Sequence, residues 1–125
     1  MIYTATVTRE DGMWLAEVDG LSGAHAYART LTRLRAELAD AIVLSADLAD
    51  DAEVEIAFKL GGDENPLVSK AFAVAEQRRQ LKRAEAATVA ETANVARSLI
   101  DAGWSVRDAA GALDVTPGRI SQLVG

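Results

Sequence analysis

Cysteine is absent from this 125-residue chain, and histidine occurs once, at His25. No disulfide framework and no thiolate chemistry are therefore available. A lone histidine, without a cysteine or a second histidine, makes neither a metal-ligand set nor a catalytic triad. His25 reads instead as a strand-surface or partner-contacting residue. The glycine pair Gly61-Gly62 is not followed by Lys-Ser or Lys-Thr, so it is not a phosphate-cradling loop. No long apolar run occurs, and the opening Ile2-Tyr3-Thr4 follows no basic segment, which argues against a membrane span or a signal peptide. A cytoplasmic protein with no cofactor and no metal is expected.

What is present points elsewhere. The hydrophobic share of 50% supports a packed core, and the length suits one ordinary domain or two small modules. The net charge is −6, and it is unevenly spread. Residues 1–75 hold six Lys/Arg against thirteen Asp/Glu, or −7, whereas residues 76–125 hold seven against six, or +1. Such polarisation suggests two jobs, one near nucleic acid and one near a different, basic partner. Plain solubility is the competing explanation for the acidic part.

The N-terminal part reads as a small sheet with a helix. Residues 2–9 alternate, with Tyr3, Ala5 and Val7 on one face. Glu10-Asp11-Gly12 is a turn, and residues 13–18 return with Trp14, Ala16 and Val18 on one face. A loop through Gly20-Leu21-Ser22-Gly23 leads to a short third strand over 24–29. Thr30 or Thr32 opens a helix to about residue 48, with Leu31, Leu34, Leu38, Ala41 or Ile42, Ser45 and Leu48 inward and Asp50-Asp51 as the breaker. Val54, Ile56 and Phe58 alternate with Glu53, Glu55 and Ala57 in a fourth strand. The fold class is α+β: a β-β-β-α-β sheet domain over 1–60, then an all-α region.

Gly61-Gly62-Asp63-Glu64 is a break, and Asn65-Pro66 caps a new helix. Nothing from 67 to 102 interrupts helical structure. Its apolar face is clear at Leu67, Ala71, Phe72, Val74 and Ala75. The face fades through the basic run 77–83 and returns at Val89, Ala93, Ala96, Leu99 and Ile100. The basic run reads as a solvated connector, with a phosphate-contacting surface as the alternative. Residues 61–85 form linker and connector, and 86–125 the C-terminal domain. Ala102-Gly103 ends the helix, and Trp104 is expected as a hydrophobic plug.

Residues 105–124 read as a helix-turn-helix. Ser105 and Asp108 form a Ser-x-x-acid box, and Val106, Ala109, Ala110 and Leu113 make one face. Asp114 occupies the tight turn, and Val115 plugs the angle between the helices. Thr116-Pro117 starts the second helix. Ile120 and Leu123 or Val124 face inward. Thr116, Gly118, Arg119, Ser121 and Gln122 face outward, and with Arg107 they are the candidate DNA-binding residues. Arg suits guanine, Gln suits adenine, and Ser and Thr reach bases or phosphates.

Tyr3-x-Ala5-x-Val7 before the Gly12 turn, Trp14-x-Ala16-x-Val18, the Gly20-Leu21-Ser22-Gly23 loop, a short strand and an alanine- and leucine-rich helix together resemble the HicB family of antitoxins. The resemblance implies a partial ribonuclease-H-like fold that binds and blocks a small, basic, RNA-cleaving toxin of the HicA type. It also implies a DNA-binding tail that represses its own operon. A stand-alone HicB-like transcriptional regulator without a toxin is the alternative. Palindromic half-sites need two recognition helices, so a homodimer or homotetramer on operator DNA is expected. A metal-dependent nuclease is the least supported reading. Asp11 and Asp19 fall in turns, Asp50, Asp51 and Glu53 cluster at a helix end, and Asp63 and Glu64 lie in the linker. Glu53 and Glu55 on one strand face come nearest to a carboxylate pair. No enzymatic activity is expected.

Overall fold

The computed structural model describes every residue except Met1, Asp63 and Glu64. Part of the expected 61–64 break therefore lies outside the described residues. The protein is mixed α/β, with one four-stranded sheet and four helices among the described residues. It divides into two compact units, residues 1–76 and 77–125.

The first unit is built on a hairpin. Strands β1 (Ile2–Glu10) and β2 (Met13–Val18) pair antiparallel with Glu10 opposite Met13. The two-residue connection Asp11-Gly12 has positive φ at both positions, 51° and 76°. That geometry matches the right-handed twist of the strands, and Asp-Gly adopts it at low cost. Strand β3 (His25–Ala28) adds antiparallel to β2, and β4 (Glu55–Leu60) adds parallel to β1. The sheet order is β3-β2-β1-β4.

Period-two alternation sends Ala5, Val7, Ala16, Val18, Ala28, Ile56 and Phe58 to one face. Helix α1 (Leu31–Ser45) covers that face with Leu34, Leu38 and Ile42, all fully buried. Thr30 caps it, its hydroxyl accepting from the Arg33 amide at 3.2 Å. The helix stops before the Asp50-Asp51 breaker expected to end it. Asp47 takes φ 53°, and the amides of Asp47 and Leu48 return to the carbonyls of Leu44 and Val43. This is a Schellman ending with aspartate where glycine is usual. Ser45, expected inward, is exposed, and Leu48 reaches the core from the turn instead.

Two cationic side chains lie on aromatic rings in this unit. The Arg35 guanidinium sits 4.1 Å from the Phe58 ring centroid and donates to the Ile56 carbonyl. Arg9 lies 4.5 Å from the Trp14 ring centroid. Asp19, just after β2, accepts from Lys59 of β4 at 2.7 Å and from the Thr6 hydroxyl of β1 at 2.8 Å. The Lys59 ammonium, then the Thr6 hydroxyl, hold its carboxyl below the usual carboxylate range.

Helix α2 (Pro66–Asp101) is one 36-residue element, opened by Asn65, whose side-chain oxygen accepts from the amides of Leu67 and Val68. Residues 66–76 belong to the first unit. There Phe72 meets Phe58 edge-on, with ring centroids 5.7 Å apart. The apolar face expected at 67–75 is otherwise largely uncovered: Leu67 is 77% and Val74 47% exposed. A single aromatic contact, rather than a full stripe, carries this docking.

Gly61 is a close-approach glycine rather than a hinge. Its amide donates to the Val7 carbonyl at 2.8 Å, and a Cβ there would lie 2.6 Å from the Thr6 methyl and 3.3 Å from the Thr8 methyl. Both obstacles are β-branched and stiff at χ1. Gly61→Ala is expected to destabilise the first unit by about 1–3 kcal/mol, as overpacking does. Urea unfolding of the wild type and variant measures it, and a loss below ~0.5 kcal/mol would show that the strand yields.

Candidate nucleic-acid interface

The second unit consists of the rest of α2 with α3 (Val106–Leu113) and α4 (Pro117–Val124). Gly103, with φ 96°, ends α2. Its amide and that of Trp104 return to the carbonyls of Ile100 and Leu99, a second Schellman ending. The motif sets the Trp104 backbone but not its ring. The indole is 50% exposed and does not plug the core as expected.

Both short helices are capped as their sequences require. The Ser105 hydroxyl accepts from the Asp108 amide, and the Thr116 hydroxyl from the Arg119 amide, each at 3.1 Å. Pro117 takes the first position of α4, where a missing N–H costs nothing. Asp114, expected in the tight turn, lies there in the left-handed conformation, φ 57°, ψ 45°. The amides of Asp114 and Val115 both return to the Ala110 carbonyl.

Ala96, Ala110 and Ile120 form the buried centre, with Ile100, Leu113, Val115 and Val124 packed around them. Alanine on both flanking helices lets α4 approach closely. Val106 and Val89, expected inward, are each 37% exposed and lie outside this small centre. Burying Ile120 decides the rest of α4 by helical geometry. Thr116, Gly118, Arg119, Ser121 and Gln122 all lie exposed, as does Arg107 on α3. The structure thus gathers five of the six candidate residues on one eight-residue helix and its cap.

Sequence reasoning missed Arg97. Its guanidinium donates to the Leu123 carbonyl at 3.1 Å and to the Asn94 side chain at 3.3 Å. It thereby satisfies an orphan carbonyl at the end of α4 and ties that helix to α2. Nothing local to Arg97 signals this, since its partner is 26 residues away.

The carboxylate pair considered for metal chemistry does not form on a strand. Glu53 precedes β4, which begins at Glu55. Among the described residues no group of three His, Asp or Glu side chains is placed to hold a metal ion. His25 is exposed on β3, opposite Glu17. Among the described residues no helix is long and apolar enough to cross a membrane. No family model matches this chain, and no curated protein or solved structure matches it.

Gly118 stands exposed inside α4, with open space where a Cβ would go. Glycine there costs roughly 0.5–1 kcal/mol of helix stability relative to alanine and gains no packing. Gly118→Ala is expected to stabilise the second unit by roughly 0.5–1 kcal/mol, read as a higher melting temperature. A melting temperature below that of the wild type would show that an alanine methyl is not accommodated at this position.

Proposed function

We propose that this protein is a HicB-like antitoxin and autorepressor. Its C-terminal helix-turn-helix binds operator DNA, and its N-terminal unit, read as a partial ribonuclease-H-like domain, holds a HicA-type RNA-cleaving toxin. The observation that carries the DNA half is the outward set on α4. Arg119, Ser121 and Gln122 are exposed on a helix whose opposite side is anchored by Ile120. Arginine and glutamine have the paired donors and acceptors that read guanine and adenine in the major groove. The Thr116 oxygen already accepts from the Arg119 amide, which leaves its O–H to donate to a phosphate.

The toxin half rests on the resemblance in the N-terminal sequence and on charge. The observed order of elements, β-β-β-α-β, is the order that the resemblance implies. Residues 1–76 carry fourteen Asp/Glu against six Lys/Arg, a surface suited to a basic protein. The N-terminal unit acts as a binding surface and not as an enzyme. A homodimer or homotetramer supplies the two recognition helices that a palindromic operator requires.

Two measurements test the halves separately. Arg119→Ala should weaken binding to the native upstream region by about 1–3 kcal/mol and relax specificity at the base pair it reads. Unchanged binding would reject α4 as the recognition helix. Co-expression with an adjacent reading frame for a small basic protein should yield a complex on purification. DNA binding without any such complex would leave a stand-alone regulator.

A further inference from the structure

The outward face of α4 lies in a region with almost no positive charge to spare. Residues 91–125 hold three arginines, Arg97, Arg107 and Arg119, against Glu91, Asp101, Asp108 and Asp114. Arg97 is engaged with Asn94 and the Leu123 carbonyl. Duplex DNA carries one negative charge per about 1.7 Å, and most of the affinity of a DNA-binding protein comes from neutralising it. This region cannot supply that by itself.

The missing charge sits earlier on α2. Arg78, Arg79, Lys82 and Arg83 account for four of the seven basic residues in 77–125. Arg78 and Lys82 are both exposed and one helical turn apart, on a common face with Leu81 and Glu85 beside them. A helix that serves only as a solvated connector gains from opposite charges at i and i+4. Here Arg78 and Lys82 are an i, i+4 pair of like charge, which works against the free helix and is offset only in part by Glu85 beside them. An anionic ligand relieves that repulsion. Lys82 lies fourteen residues before Ala96, where α2 meets Ile120, a separation of about 21 Å at 1.5 Å per residue. Both points therefore fit within the roughly 34 Å of one duplex turn.

We propose that Arg78 and Lys82 form a phosphate-binding site for duplex DNA, a sequence-independent anchor that works beside the α4 recognition face. The site rests on the DNA-binding reading given above. It assigns affinity to α2 and base discrimination to α4.

The test is the salt dependence of binding by the full chain. Fluorescence anisotropy with a labelled duplex of arbitrary sequence, about 30 bp or three turns, reads affinity between ~50 and ~200 mM KCl. R78Q/K82Q removes two phosphate contacts, so the slope of log K against log salt should become shallower by about 1.8. The affinity lost across that range then shrinks roughly tenfold. R78K/K82R keeps the charge and should keep the wild-type slope. Glutamine matches lysine and arginine in helix propensity and removes the like-charge pair, so helicity and melting temperature should be no lower than in the wild type. A folded R78Q/K82Q variant with the wild-type slope overturns the phosphate site and leaves the DNA reading standing. Failure of the wild type to bind any duplex at the lower salt overturns both.

Discussion

The burial of Ile120 is the contact on which the second unit depends. It is fully buried between Ala96 on α2 and Ala110 on α3. One isoleucine is worth about 1.5–3 kcal/mol of burial, and two alanines add little. So small a centre leaves the helix ends to carry a comparable share. Each hydroxyl cap contributes about 1 kcal/mol, and Ser105 and Thr116 supply two. The left-handed Asp114 and the Arg97 bond to the Leu123 carbonyl close the two ends that the caps do not. With Ile120 inward, the helical period leaves Gly118, Arg119, Ser121 and Gln122 no position but the surface.

The first unit answers the same problem differently. Its sheet offers a flat row of small side chains, Ala5, Ala16 and Ala28 beside Val7 and Val18. Three large residues of α1 fill the space above them. Aspartate takes left-handed backbone at Asp11 and Asp47 here, as Asp114 does in the second unit. On the opposite sheet face the Thr6–Asp19–Lys59 cluster links residues of β1 and β4 with the segment after β2. The proposed division of labour follows the chemistry of the units. In the proposed reading, the acidic sheet unit would hold a basic protein and the helical unit would offer one polar helix to a DNA groove.

Much of both units is visible in the chain without coordinates. The four strands, α1 and the two terminal helices fall where periodicity and capping chemistry put them, because those signals act over four residues or fewer. The Asp114 turn is legible for the same reason. The misplacements share a different cause. Trp104, Leu67, Val74 and Val106 are apolar, and hydropathy alone sends them inward. Each stays on the surface, outside both buried clusters, because no element of its unit packs over it. Arg97 and Gly61 went unread because the Leu123 carbonyl and the Thr6 methyl that define their roles lie far away in sequence.

The sequence by itself determined the order of elements, the ends of the two short helices and the polar set that α4 displays. These depend on backbone preferences, caps and period, which are properties of neighbouring residues. Only the tertiary structure decided which apolar residues are covered, where α1 stops, that Gly61 sits against β1, and that Arg97 holds the end of α4. Those outcomes depend on which distant segments meet and on how much volume remains when they do. No local pattern carries that information.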